Sequence, residues 1–207
     1  LFTEWIDVQR RWVYLEGIFF GSADIMNELA SDYNKFKSID GEFTGLMKKV
    51  ALKPMVLDVI SIPSIKSILE EKLKPYLERI QKSLVNFLEK QRQNFARFYF
   101  IGDEDLLEIV GNSRDIYKVQ RHFNKMFAGL NSMISADGDE ISHMKSREME
   151  EVEFETHIKI SEDPTIYIWL EKIESQMRIT LAKKLERAVT EISAIDYTKQ
   201  VKEFVKW

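Results

Sequence analysis

Residues 65–95 read IKSILEEKLKPYLERIQKSLVNFLEKQRQNF, and this stretch decides the fold class. Its apolar residues return every three or four positions, the spacing that places them on one face of an α-helix. At about 1.5 Å per residue this helix would be about 45 Å long. Because Pro75 lacks a backbone N–H and crowds the preceding turn, we expect a kink or a break near Lys74. Ser64 is expected to cap the start of this helix. The regular spacing of its apolar residues predicts a long amphipathic helix, which we call the rod.

An opening helix precedes the rod. Trp5, Val8, Trp12 and Leu15 recur at three- and four-residue steps, which places them on one helical stripe, and Gly21 ends the pattern. Large apolar side chains on such a stripe favour packing in the core over binding of a partner. We therefore predict that Trp12 is a core residue.

The region between the opening helix and the rod predicts further helical pieces. Residues 23–36 keep the helical period, and Ser38 and Asp40 carry the side-chain oxygens that cap a following helix. Residues 55–62, which two prolines bracket, are compatible with a turn of helix or with a buried connector.

A short aromatic segment and a group of carboxylates follow the rod. The aromatic segment reads RFYFI at 97–101. The carboxylates stand where the unsatisfied N–H groups of a new helix's first turn favour negative charge. The residues of interest here are Phe98, Tyr99, Phe100, Asp103, Glu104 and Asp105.

The pattern changes in the second half of the chain. Alternating apolar residues flank Asp137 and Gly138, a pair that favours a tight hairpin turn. From Pro164, which suits the first turn of a helix, the helical period returns and runs through Leu181 and Leu185. The sequence therefore predicts a mainly α fold, an elongated helical bundle with two long helices and a small antiparallel β-hairpin or three-stranded sheet near residues 131–160.

Composition excludes several classes of protein. The chain has 8 Gly and 4 Pro in 207 residues, too few for the turns of an all-β sandwich or barrel. Its net charge of -4 offers no broad footprint for nucleic acid or for an anionic membrane. No apolar run reaches the roughly 20 residues that span a bilayer. The sequence contains no cysteine, which is typical of a reducing compartment, so we expect a cytoplasmic protein without nucleic-acid or membrane partners.

The sequence lacks the common catalytic and binding motifs. No glycines precede Lys and Ser or Thr at phosphate-loop spacing, which argues against nucleotide binding. His122, His143 and His157 match no zinc spacing. The acidic residues around Asp137 are explained by a hairpin turn rather than by a calcium loop. The carboxylates after the rod suit the start of a helix better than acid–base catalysis. We therefore predict no catalytic, cofactor-binding or metal-binding residues.

Three ordered blocks of sequence carry a resemblance to a known family. The first is VQRRWVYLEGIF at 8–19, and the second comprises VLDV at 56–59 with IQK at 80–82. The third comprises RFYF at 97–100, GDEDLLEI at 102–109 and KMFAGL at 125–130. In this order the blocks resemble the linker region of dynein heavy chains, and the cytoplasmic type more than the axonemal type.

The resemblance implies a mechanical function. It implies that residues 1–207 are an internal fragment, part of a linker domain, with a possible subdivision into 1–96 and 97–207. Such a linker is a lever that lies across a ring of AAA+ ATPase modules and bends or straightens with the nucleotide cycle. ATP and magnesium would bind elsewhere in the parent motor, and no cofactor would bind this segment. The expected partners are the AAA+ ring of the same heavy chain and, through the parent protein, other dynein subunits and microtubules of the cytoskeleton.

Within this family, the segment from Phe98 to Asp105 is the candidate for a contact with the ring or for a hinge. Irregular connectors absorb dihedral changes that packed helices do not tolerate. The alternative for the carboxylates is local capping by Asp103 alone. The alternative for the whole chain is a non-catalytic helical scaffold that binds partner proteins, which would display an exposed apolar groove.

Overall fold

The computed structural model describes residues 1–163 and 165–194. The chain divides into two compact units, Leu1–Ser113 and Arg114–Trp207. The predicted subdivision after residue 96 falls inside the first unit, because the helix that begins at Asp103 packs on other helices of that unit. The described residues are mainly helical with a three-stranded antiparallel sheet, which confirms the predicted fold class.

The first unit is helical. Its helices are α1 (Phe2–Gly21), α2 (Ala23–Glu28), α3 (Ala30–Leu52), α4 (Val56–Ile60), α5 (Ile65–Ser67), α6 (Lys74–Asn94) and α7 (Asp103–Gly111). A π-helical segment (Ile68–Leu73) joins α5 to α6, and a 3₁₀ segment (Ala96–Phe100) follows α6.

The core of the first unit lies where α1 and α3 pack on α6. Each of the three helices has a buried apolar face. The buried residues include Val8, Leu15 and Phe19 of α1, Phe36 and Phe43 of α3, and Leu77, Ile80, Leu84 and Leu88 of α6. Burying one such side chain contributes roughly 1.5–3 kcal/mol relative to leaving it exposed. This apolar face therefore holds the long helix in place.

Trp12 connects α1 to α3 and is half-buried rather than fully enclosed. Its indole Nε1 donates a hydrogen bond to Asp40 Oδ1 at 3.1 Å, and its ring centroid lies 4.8 Å from that of Phe43. The predicted caps at Ser38 and Asp40 are wrong, because α3 runs through both residues without a break. Asp40 accepts the tryptophan N–H instead of starting a helix.

Pro75 coincides with an irregular turn of the rod. Helix runs from Ile65 to Asn94, and the turn before the proline is π-helical. A wider turn makes room for the proline ring and tolerates its missing N–H, so of the two predicted outcomes, a kink or a break, the break does not occur. The predicted cap is also wrong, because Ser64 has a φ of 60° and its side chain makes no capping hydrogen bond.

The stretch 55–62, left open by the sequence, contains the single helical turn α4. This turn buries Val59 and leaves Met55 and Leu57 largely exposed. It is therefore a turn of helix that displays apolar side chains.

The second unit combines short helices, a sheet and one long helix. Its elements are α8 (Ile116–Val119), α9 (Phe123–Met126), β1 (Leu130–Ser135), β2 (Glu140–Ser146), β3 (Glu151–Lys159) and α10 (Ile166–Ala194). The strands are antiparallel in the order β1-β2-β3, and α10 packs on β3. The backbone N–H of Glu155 donates to Thr180 Oγ1 at 3.2 Å, which fixes the helix on the strand.

The predicted hairpin turn joins β1 to β2. Asp137 Oδ1 accepts the backbone N–H of Glu140 at 2.8 Å and that of Asp139 at 2.9 Å, and Gly138 has a φ of 82°. These two hydrogen bonds, first that of Glu140, lower the pKa of Asp137 below its ordinary value. Asp137 thus stabilises the hairpin turn, as the Asp-Gly pair predicts.

The second predicted long helix is α10. It buries Trp169, Leu170 and Ile173, as its periodicity indicates. The helix continues through Leu181 and Leu185, as predicted, but both side chains are exposed, because the described residues leave this end of the helix uncovered. The predicted start of the helix at Pro164 lies outside the described residues.

Candidate functional site

The aromatic residues of the candidate segment lie on the 3₁₀ turn at the end of the rod. Phe98 is fully buried and its ring packs edge-on to that of Phe95 at 5.0 Å. Tyr99 and Phe100 are 56% and 70% exposed. Phe98 therefore anchors the turn, and the two residues after it form an aromatic surface.

The segment is regular rather than irregular. The N–H of Phe98 donates to Phe95 O at 2.9 Å, and the N–H of Ile101 donates to Phe98 O at 3.0 Å. A run of five residues keeps the 3₁₀ form, which is usual in short connectors at helix ends. The prediction of an irregular connector is corrected accordingly.

Arg92 ties the segment back to the rod. Its Nη2 donates to Ile101 O at 3.1 Å and to Asp103 Oδ1 at 2.5 Å. The arginine side chain is 15% exposed, whereas that of Asp103 is 51% exposed. A pair that is half open to solvent stabilises the fold by only about 0.2–1 kcal/mol. Its effect is to fix the direction of the chain as it leaves the rod.

Tyr99 is held by a second contact with the rod. Its hydroxyl donates to Glu89 Oε1 at 2.8 Å. This hydrogen bond, and after it the partial desolvation of the hydroxyl, raises the pKa of Tyr99 above its ordinary value. The exposed ring thus has a defined orientation.

The three carboxylates occupy the first turn of α7, as predicted. Asp103 and Glu104 are exposed and Asp105 is half-buried. The N-cap position is Gly102, so Asp103 is not the capping residue, and its Oδ1 accepts a hydrogen bond from Arg92 instead. The carboxylates extend a negative field to α1, where burial first, and then Asp103 and Glu104, raise the pKa of Tyr14.

Sequence reasoning missed three residues that shape this site, namely Arg92, Glu89 and Tyr14. Arg92 stands in the last turn of α6, but Ile101 and Asp103, which it contacts, lie outside that helix, so its place in the sequence did not indicate these contacts. The two others are brought in by packing. No local pattern of sequence marks Glu89 or Tyr14 as a neighbour of the segment.

The histidines lie apart from the candidate segment in sequence and show no common site. His157 lies 3.4 Å from Glu140 and 3.4 Å from Glu153, His143 Nδ1 lies 2.8 Å from Ser142 Oγ, and His122 is buried. In the part of the chain that the structure describes, no group of three or more His, Cys, Asp or Glu side chains is arranged to hold a metal ion. Among the described helices, none is both long and apolar enough to cross a membrane.

Comparison with known proteins identifies the family. Residues 1–188 match the family model described as dynein heavy chain, N-terminal region 2. The chain is 55% identical over 193 residues to the cytoplasmic dynein heavy chain of Paramecium tetraurelia. The aligned region covers 92% of this chain and 4% of that protein. It is 52% identical over 193 residues to the cytoplasmic dynein heavy chain of Drosophila melanogaster, with 93% and 4% covered.

An axonemal relative is less similar. Dynein axonemal heavy chain 17 of Mus musculus is 36% identical over 191 residues, with 89% of this chain and 4% of that protein covered. The chain thus spans about 4% of the length of the relatives it matches. Because the family model covers most of the chain and identity is high over nearly all of it, the chain belongs to the dynein heavy chain family, in its N-terminal region 2.

Proposed function

We propose that the chain is part of the linker of a cytoplasmic dynein heavy chain and acts as a mechanical lever. It transmits a change of shape in the AAA+ ring of the same polypeptide to the tail. The ring, rather than this segment, binds ATP and magnesium. The parent motor acts on microtubules together with other dynein subunits, in the cytoplasm.

The observation that carries this proposal is the braced rod. Isolated helices are marginally stable in water, so a helix that transmits force needs packing along its length. The apolar face of α6 provides this packing against α1 and α3. A rod held on two sides is suited to move as one piece.

Polar contacts brace the rod along both neighbours. On the side of α1, Lys74 Nζ donates to Glu4 Oε2 at 2.6 Å and Arg11 Nη1 donates to Gln81 Oε1 at 2.6 Å. On the side of α3, Lys72 pairs with Glu42 at 2.6 Å and Ser83 Oγ donates to Asp32 Oδ2 at 2.6 Å. Each exposed pair contributes little to stability, but contacts spaced along the helix oppose sliding of the helices past one another.

The end of the rod supplies the surface that we propose for the ring contact. Arg92 and Glu89 join the candidate segment to α6, so the segment moves with the rod. Tyr99 and Phe100 offer apolar area, and Glu104 offers a charge for basic groups of an ATPase module. Aromatic residues with a charged neighbour are typical of residues that dominate interfaces.

The charge substitution Glu104→Gln in the whole motor tests the contact. We expect slower microtubule gliding with an almost unchanged melting temperature, because exposed charges affect association more than stability. A double variant, Glu104→Gln with Asp105→Asn, removes both charges and should slow gliding in the same way. The control is Glu171→Gln, an exposed position on α10, which should leave gliding normal. Normal gliding in Glu104→Gln and in the double variant, or a melting temperature that falls with gliding, would place the ring contact elsewhere.

The scaffold alternative has one observation in its favour, an apolar solvent face on α1 with the exposed side chains Phe2, Ile6, Val13 and Phe20. A pure scaffold holds partners without transmitting force. It therefore predicts that Glu104→Gln leaves gliding velocity normal, whereas loss of the α1 face removes a bound partner. The lever predicts that gliding slows in the first variant.

A further inference from the structure

α1 has apolar side chains on its solvent face as well as on its core face. The exposed fractions are 44%, 52%, 51% and 55% for Phe2, Ile6, Val13 and Phe20. These residues follow one another at steps of four, seven and seven positions. This is the 3.5-residue repeat by which one helix packs along another.

Three depressions follow this face and share the residues that line them. The first lies between α1 and residues 50–59, and the second lies farther along α1; both are lined by Ile6 and Gln9. The third lies between α1, α2 and α7 and shares Tyr14 with the second. The shared residues join the depressions into one surface, which we call the α1 trough. At 1.5 Å per residue it follows the helix for about 30 Å.

Two glycines of α1 leave room in the trough for the backbone of a neighbouring helix. A Cβ atom added at Gly17 or at Gly21 would meet no atom within 4 Å, so the space above these glycines is open. Without side chains there, a neighbouring chain reaches the surface of α1 closely. Exposed apolar side chains in a row along a helix and flanked by polar residues are typical of a site of interaction.

Charges along the trough define the chemistry of its occupant. Arg10 lines the middle depression, and Glu104 and Glu108 line the third. Arg10 and Gly17 are seven residues, about 10 Å, apart along the helix axis. A complementary helix therefore carries a basic residue that faces the carboxylates and an acidic residue about seven positions away that faces Arg10.

We propose that the α1 trough binds an amphipathic helix of the same heavy chain that lies outside residues 1–207. Helices with an apolar stripe commonly bind in such grooves. The chain spans about 4% of its relatives' length, so most of the polypeptide is available to supply the helix. A segment of the same molecule is also present at high effective concentration. This inference uses the family membership and not the lever role. Because Glu104 belongs to both proposed surfaces, the tests of the trough use Val13 and not Glu104.

A second copy of this chain fits the trough less well. Arg10 lies near the middle of α1, so an antiparallel pair of these helices would bring the two Arg10 side chains together. Like charges at the centre of an interface oppose association. We therefore assign the trough to a helix with a different charge pattern.

Photo-crosslinking in the full-length heavy chain identifies the occupant. A benzophenone amino acid replaces Val13, and the matched control replaces Val85, a valine of α6 with 50% exposure. We expect Val13 to crosslink to one heavy-chain peptide outside residues 1–207 with a helical apolar repeat, and Val85 not to crosslink to that peptide. Mixing isotope-labelled and unlabelled chains separates contacts within a chain from contacts between copies. Crosslinks only to a second copy or to other proteins, or none above background, would overturn the proposal.

Hydrogen exchange in the same full-length protein provides a second measurement. With Val13→Asp, the crosslinked peptide should exchange at least about tenfold faster, because the substitution places a charge in an apolar interface. Val85→Asp should leave that peptide unchanged. Exchange of residues 77–88 reports whether the first unit stays folded in the variant. If Val13→Asp unfolds this unit, Val13→Ser replaces it, because serine removes the apolar contact without adding a charge. An unchanged peptide in a folded Val13 variant would contradict the proposal.

Discussion

Replacing Gly111 by alanine tests the close packing of α2 against α7. A Cβ built on Gly111, the last residue of α7, would lie 2.6 Å from Ser22 Oγ and 3.0 Å from Ser22 Cβ. Contacts between carbon atoms are most favourable at about 3.5–4.0 Å. Either the Ser22 hydroxyl would have to rotate away and lose its hydrogen bond with the N–H of Ile25, or the two helices would have to separate by several tenths of an ångström. Ser22 Oγ also donates a hydrogen bond to Gly111 O at 3.2 Å, and separation would weaken it.

Two opposing effects set the size of the change. Alanine is favoured over glycine in a helix by about 0.5–1 kcal/mol, because glycine loses more conformational freedom on folding. Overpacking costs about 1–3 kcal/mol, and the weakened hydrogen bond costs up to about 1 kcal/mol. We expect Gly111→Ala to lower the free energy of unfolding by about 1–3 kcal/mol.

Urea denaturation of the 207-residue chain measures this change. The matched control is Gly17→Ala, where an added Cβ meets no atom within 4 Å, and it should raise the free energy of unfolding by about 0.5–1 kcal/mol. In a Ser22→Gly background the obstacle is gone, so Gly111→Ala should become neutral or stabilising. The reasoning is refuted if Gly111→Ala stabilises the wild-type chain as Gly17→Ala does.

Three further experiments test other parts of the chain. Trp12→Ala should lower the free energy of unfolding by about 2–4 kcal/mol, somewhat less than for a fully buried tryptophan; an unchanged urea midpoint would mean that the indole is not packed on Phe43. The pKa of Asp137 is depressed below 3.8, so its stabilising effect is complete above about pH 4 and is lost as pH falls through the folded pKa. In the Asp137→Asn variant the melting temperature should therefore fall less steeply than in the wild type as the pH is lowered below about 4. An equally steep fall in both proteins would exclude this role of Asp137. Calorimetric titration with ATP and magnesium should show no saturable binding to the 207-residue chain, since phosphate-loop spacing is missing, and micromolar binding would disprove this.

The long helix shows what periodicity predicts and what it leaves out. Ile65, Leu69, Leu73 and Leu77 follow one another at steps of four and are all buried. With 3.6 residues per turn, each step of four overshoots by about 40°, so three steps would carry Leu77 about 120° from Ile65. The π-helical segment unwinds the helix and keeps these residues on the core face. The repeated step of four just before Pro75 was the available signal for this segment.

The candidate segment illustrates a different limit. Its acidic first turn was predictable because the start of any helix favours negative charge. The position of Arg92 against Ile101 and Asp103 depends on the direction in which the chain leaves α6, which local sequence does not encode. Exposure is equally a property of packing, and Leu185 lies on the predicted stripe of α10 yet faces solvent. The remaining candidate roles stay predictions, because they concern partners outside this chain.

The contact between Ser22 and Gly111 also affects when the first unit folds. The two residues are 89 positions apart, and a ribosome adds about 5–20 residues per second, so roughly 4–18 seconds separate their synthesis. During this interval α2 is already made, but the end of α7, which packs on it near Ile25, is not. Nascent apolar surface of this kind is prone to aggregation and is a target for chaperones. The first unit therefore completes its folding late during translation, only after Gly111 has left the ribosome.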